Sequence, residues 1–98
     1  MHIAVSWDIH GGGETWNLIN SQLYAVLAPY HPYRPLNTLY VLSATEAQRT
    51  AIVTALQVAA KAAPVTTHVA VTPLMVGGVY DGYLPQDAWA ELNARTST

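Results

Sequence analysis

The spacing of apolar residues along this sequence changes repeatedly between a period of two residues, typical of strands, and one of about 3.6 residues, typical of helices. Such a change favours architectures in which strands and helices form packed layers. In HIAVSWDI, residues 2–9, large apolar side chains alternate with small or polar ones, the pattern of a strand with one buried face. From Trp16 to Tyr30 the apolar residues recur at three- and four-residue steps, which predicts a helix of about four turns. Thr15 is its predicted N-cap.

The middle of the chain repeats this change of period. Residues 29–35, PYHPYRP, contain three prolines and allow at most a short edge strand near Tyr33, whereas residues 38–42, TLYVL, are rich in strand formers. Ser43 and Glu46 form an S-x-x-E capping box, which predicts a second helix that ends at Pro64.

The last part of the chain contains one further strand signal and an irregular tail. Residues 67–72, THVAVT, alternate as a strand does and stop at Pro73. Pro85 is suited to open a last short helix. The order βαββαβ predicts an α+β, ferredoxin-like sandwich of residues 1–98, with a core of residues 1–73 and a tail of residues 74–98 that contains a short strand or helix. A three-stranded α/β layer is the alternative.

The composition favours association with another subunit. The chain has 98 residues, of which 51% are hydrophobic and 10% charged, and a small domain of this kind gains from burying surface in an oligomer. Its net charge is −2 and its four basic residues are scattered, which argues against strong autonomous nucleic-acid binding. The absence of cysteine excludes thiol chemistry, and no apolar run is long enough to cross a membrane, so we expect a cytoplasmic protein.

Three short stretches resemble a known family. VSWDI (5–9), NTLYVLSATEAQ (37–48) and YLPQDAWAELN (83–93) are similar to segments of the CRISPR-associated adaptation subunit called Cas two and of its SinR-like relatives. The resemblance implies a homodimer built on the sheet faces, with a tail segment that reaches the partner. It also implies that Asp8 of each subunit approaches across the two-fold axis, where the family's nucleases hold a divalent cation. Mg²⁺ or Mn²⁺ is the cofactor that this implies.

Two functions of different class follow. The first is a small dimeric interaction or assembly module that has a Cas-two-like fold and binds a second copy or another protein. The second is a metal-dependent endonuclease that uses paired Asp8 to activate water and stabilise charge on a phosphodiester. The loop HGGGETW, residues 10–16, carries no basic residue, which favours the first.

Several other roles are open for the residues around Asp8. Its carboxylate is suited to cap the backbone amides of Gly11, Gly12 and Gly13, or to join His10 and Glu14 in a transition-metal site. The three glycines before a helix are also a weak candidate for a phosphate cradle. A Ser6–His68–Asp8 hydrolase triad would need a geometry that the sequence does not fix. The strand alternation places Ala4, Ser6 and Asp8 on an uncovered sheet face, and Tyr80 and Tyr83 are predicted interface residues.

Overall fold

The computed structural model of the chain describes residues 1–77 and 80–96 and shows an α+β protein with a four-stranded antiparallel sheet and three helices. Residues 78–79 and 97–98 of the predicted tail lie outside the described residues. The elements are β1 His2–Ile9, α1 Gly13–Leu27, β2 Tyr33–Leu36, β3 Leu39–Ser43, α2 Glu46–Ala62, β4 Thr67–Val71 and α3 Gln86–Thr96, with a short 3₁₀ turn at Ala28–Tyr30.

The sheet has the strand order β2–β3–β1–β4, so the first strand lies in its centre. β1 pairs antiparallel with β3 on one side, where Ile3 lies opposite Leu42, and with β4 on the other, where Trp7 lies opposite Val69. This order, with α1 and α2 packed against each other and on one face, is compatible with a ferredoxin-like fold. The predicted strands and helices are confirmed, including the short edge strand at Tyr33.

The main core lies between this face of the sheet and the first two helices. Because the side chains of a strand alternate, the odd-numbered residues of β1 enter this core. The Trp7 ring stacks on Tyr40 with ring centroids 4.6 Å apart, and its indole N–H donates to Oδ1 of Asn20 at 3.1 Å. The fully buried residues that fill this layer are Ile3, Val5, Ile19, Leu23, Leu27, Leu42, Ile52 and Leu56.

The C-terminal segment of the chain covers part of the opposite face. Leu92 of α3 is buried against Ala4 and Val41, so the expectation that Ala4 faces an uncovered surface is wrong. The backbone of Met75 exchanges two hydrogen bonds with His2, both of 2.9 Å, which directs the following segment across the sheet. Partly buried side chains complete this second cluster: Tyr33, Leu39, Met75, Tyr80, Leu84 and Trp89.

The predicted starts of the first two helices differ from the structure. α2 begins with a capping box of Thr45 and Gln48, whose backbone N–H groups donate to each other's side-chain oxygens at 2.9 and 3.2 Å. Ser43 instead ends β3, where it pairs with His2. α1 begins at Gly13 with Gly12 as N-cap, so Thr15 lies inside the first turn. The N-cap of α1 thus lies three residues before the predicted one, and the N-cap of α2 lies two residues after it.

Candidate functional site

The part of the second sheet face that the C-terminal segment leaves uncovered lies on β1 and β4. The antiparallel register places Ser6 opposite Ala70 and Asp8 opposite His68. Because residues two apart on a strand share a face, these four side chains lie together, and we call this surface the open half-face. With Thr38 they line a depression of about 410 Å³.

The Asp8 carboxylate lies at the rim of the open half-face. Its Oδ2 atom is 3.2 Å from Nε2 of His10, and the side chains of Asp8 and His10 are 79% and 54% exposed. A contact between side chains this exposed contributes little to stability. The His10 ring also meets the ring of His68 edge-on, with centroids 5.6 Å apart. The fold therefore brings one carboxylate and two imidazoles to one accessible surface.

His68 is the member of this group whose position depends on the fold. Val71, opposite Val5, and Thr67, opposite Ile9, fix the register that puts His68 beside Asp8. The sequence shows only that His68 and Asp8 occupy alternating positions of two strands. The sequence does not show that these two strands pair, or in which register. It shows only that the polar residues of each strand lie on one face, because apolar and polar residues alternate along it.

The glycine loop after Asp8 is shaped by backbone geometry. Gly13 has a φ of +58°, a conformation that glycine adopts without strain, and a Cβ atom added at Gly11 would lie 3.4 Å from the Val65 side chain. The N-cap of α1 is Gly12, which has no side chain to cap the first backbone N–H groups of the helix. The Asp8 carboxylate is instead in contact with the ring of His10.

The chemistry of this surface is limited by how its groups are arranged. Among residues 1–77 and 80–96, no group of three His, Asp or Glu side chains is placed to hold a metal ion, and this includes Asp8 with His10 and Glu14. Ser6, Asp8 and His68 share the depression, but Asp8 pairs with His10, and no hydrogen bond joins the described Ser6 hydroxyl to an imidazole. A serine nucleophile requires such a bond to its base.

The tail tyrosines have different environments. The Tyr80 hydroxyl is hydrogen-bonded to Nε2 of His2 at 2.8 Å, whereas Tyr83 is 99% exposed. Burial lowers the pKa of His2 and raises the pKa of Tyr80, so this bond joins two neutral groups at neutral pH. Nδ1 of His2 is buried without a hydrogen-bond partner. Sequence reasoning did not single out His2, since nothing local distinguishes it from a solvated strand residue.

Two of the four basic residues are bound within the chain. The Arg49 side chain donates to the backbone carbonyl of Thr72 at 2.9 Å. Arg95 donates to the Glu91 carboxylate at 2.7 Å and to the carbonyl of His31. These interactions reduce the positive charge that is free to meet a phosphate backbone.

Comparison of the chain with models of known protein families, with curated proteins and with solved structures finds no match. In the described part of the chain no helix is long and apolar enough to span a membrane.

Proposed function

We propose that the protein is a small homodimeric interaction module with a ferredoxin-like, Cas-two-like fold. The observation that carries the proposal is the incomplete cover of the sheet: the C-terminal segment buries Ala4 and Val41, but leaves the open half-face and the neighbouring strand β4 exposed. β1 and β4 contain no Lys, Arg or Glu, and Asp8 is their single Asp. A domain of this size gains stability when a partner covers such a surface.

The resemblance to the Cas two and SinR-like family supports a homodimer, because it implies a dimer built on the sheet faces. The charge of the chain favours a protein partner over nucleic acid, since Arg49 and Arg95 already bind groups of their own chain. No strong basic surface is left to hold a phosphate backbone.

The proposal is tested by the mass of the purified protein in solution. Multi-angle light scattering over a range of micromolar concentrations should give twice the chain mass of 10.6 kDa. A mass that stays at that of one chain throughout the range would contradict a homodimeric module.

The exposed Asp8 carboxylate favours endonuclease activity as a second candidate. One chain supplies a single carboxylate beside His10, so Mg²⁺ or Mn²⁺ would need Asp8 of a second chain and water to complete its ligands. When bound, the ion would activate a water molecule and stabilise negative charge on a phosphodiester.

The nuclease is tested with Asp8→Asn, which removes the charge and keeps the shape. Metal-dependent cleavage should fall at least about a hundredfold, because ion binding and water activation both need the carboxylate. Asp81→Asn, at an exposed acid of the tail, is the matched control. Equal cleavage by all three proteins would assign the activity to a contaminant.

A further inference from the structure

The outer edge of β4 carries unpaired backbone groups. The N–H of Thr72 donates to the carbonyl of Ala4, and the N–H of His10 donates to the carbonyl of Thr66. Antiparallel strands exchange hydrogen bonds at every second residue, so the even-numbered residues of β4 bond to β1. The N–H and C=O groups of Thr67, Val69 and Val71 therefore point away from the sheet.

The sequence of β4 lacks the residues that normally prevent an edge strand from pairing with another strand. No Asp, Glu, Lys or Arg lies between Lys61 and Asp81, and proline occurs only beyond the two ends of β4, at Pro64 and Pro73. Charged residues and proline within an edge strand are the usual protection against pairing. Pro64 and Pro73 limit the pairing segment to the length of β4.

The core is also incompletely closed at this edge. On the helix-covered face, Val65, Val69 and Val71 pack against the main core but remain partly exposed, together with Ala63 at the end of α2. A strand added beside β4 would cover more of this apolar surface. Burial of apolar surface is the main source of free energy in association.

We propose that this edge binds β4 of a second copy of the chain, antiparallel, about a two-fold axis at Val69. Val69 then lies opposite Val69 of the second copy, and Thr67 lies opposite Val71. In each of these pairs, the N–H and C=O groups that point away from one sheet face those of the other. The three pairs form about six backbone hydrogen bonds. The segment is self-complementary because it contains no Asp, Glu, Lys or Arg and because its outward-pointing backbone groups are centred on Val69.

This arrangement deepens the proposed function and rests on it, because it specifies the contact of the homodimer. It places that contact at the edge of the sheet and not on the sheet faces that the family resemblance implies. The two sheets become one continuous sheet, and the two open half-faces lie side by side. Three strand spacings of about 4.8 Å then separate the two β1 strands, which places the Asp8 carboxylates at least about 14 Å apart. An edge-paired dimer therefore does not assemble the paired Asp8 site of the nuclease candidate.

The proposed register is tested by cross-linking, which is straightforward because the chain has no cysteine. In this register His68 lies directly opposite Ala70 of the second copy, in a pair without backbone hydrogen bonds and with Cα atoms about 4.5 Å apart. A disulfide fits that distance. The His68–His68 and Ala70–Ala70 distances are about 8 Å, which is too long.

The experiment mixes His68→Cys protein with Ala70→Cys protein under reduction and then oxidises the mixture mildly. We expect a disulfide-linked dimer from the mixture and essentially none from either variant alone. A cross-link from either variant alone, or no cross-link while the wild-type protein is dimeric in light scattering, would overturn the proposed contact and leave the proposed function standing. A monomeric wild type would refute both.

A charge on the edge gives an independent test. Ala70→Lys, at an exposed position, should raise the dimer dissociation constant at least about tenfold, because it places two like charges across the axis. Leu36→Lys puts the same charge on β2 and should change the constant less than about twofold. Equal effects of the two variants would contradict a contact at β4.

Discussion

The two edges of the sheet differ in how they are protected. β2, at one edge, contains Arg34 and Pro35, and its register with β3 shifts between Tyr33 and Leu36. β4, at the other edge, has a regular register with β1 and no charged residue or proline. A charge, a proline and an irregular register all discourage a second strand from pairing.

The C-terminal segment increases this difference. α3 packs on β2 and β3, and the Arg95 guanidinium lies 5.5 Å from the ring centroid of Tyr33. β4 has α2 on one face, while His68 and Ala70 remain exposed on the other. The chain thus uses its own tail to complete the β2 side of the sheet and leaves the β4 side, where we propose that a second copy binds, without such a cover.

Of the substitutions that test the difference between the two edges, Leu92→Ala is expected to have the largest effect on stability. Leu92 is 2% exposed and anchors α3 to the sheet, so its truncation leaves a cavity and should lower the free energy of unfolding by about 2–5 kcal/mol. Urea unfolding measures the loss, with Leu36→Ala at an exposed position of β2 as control. A loss below about 1 kcal/mol would show that α3 does not complete the β2 side.

A proline pair tests which backbone groups of β4 face outward. His68→Pro removes an N–H that bonds to β1 and should lower the free energy of unfolding by about 1–3 kcal/mol more than Thr67→Pro, whose N–H points outward. Urea unfolding at a concentration where the protein is monomeric measures both. Equal losses would mean that the alternation of bonds along β4 has been assigned wrongly.

A smaller effect on stability is expected when acid protonates His2, which lies on β1 and is hydrogen-bonded to Tyr80 of the C-terminal segment. Because burial lowers the pKa of His2, the unfolded chain binds a proton more readily than the folded chain. The contribution of neutral His2 is fully present above its unfolded pKa of about 6.5 and is lost as pH falls below that value.

This acid dependence is measured by urea unfolding at two pH values on either side of 6.5. We expect His2→Gln to reduce the difference between them, whereas His31→Asn, at an exposed histidine, should retain it. A difference that is unchanged in His2→Gln would assign the acid dependence to other groups. Cross-linking at β4 should not change in either variant.

Most of the secondary structure could be predicted because periodicity and breakers are local signals. The strand at His2–Ile9, the helix that ends before Pro64 and the strand at Thr67–Val71 all have such signals. The start of α2 was predicted wrongly because Ser43 with Glu46 and Thr45 with Gln48 are overlapping capping patterns. The choice between them depends on β3, which extends through Ser43 to pair with His2.

The candidate site was less predictable, since it depends on contacts between distant residues. Asp8 and His10 were visible as neighbours in sequence, but His68 joins them only through the register of β1 with β4. The return of Tyr80 to His2 is likewise a tertiary contact between residues far apart in the chain. Alternation shows that a strand has two faces, but not which segment will cover each one.

The central position of β1 also bears on synthesis of the protein. As the chain leaves the ribosome, β1 is made first, can pair with β3 only after Ser43 has emerged, and lacks its second neighbour until β4 follows at Thr67–Val71. Contacts between such distant segments form slowly. For much of translation the nascent chain therefore displays an apolar strand with a bare edge, the kind of segment that chaperones shield from aggregation.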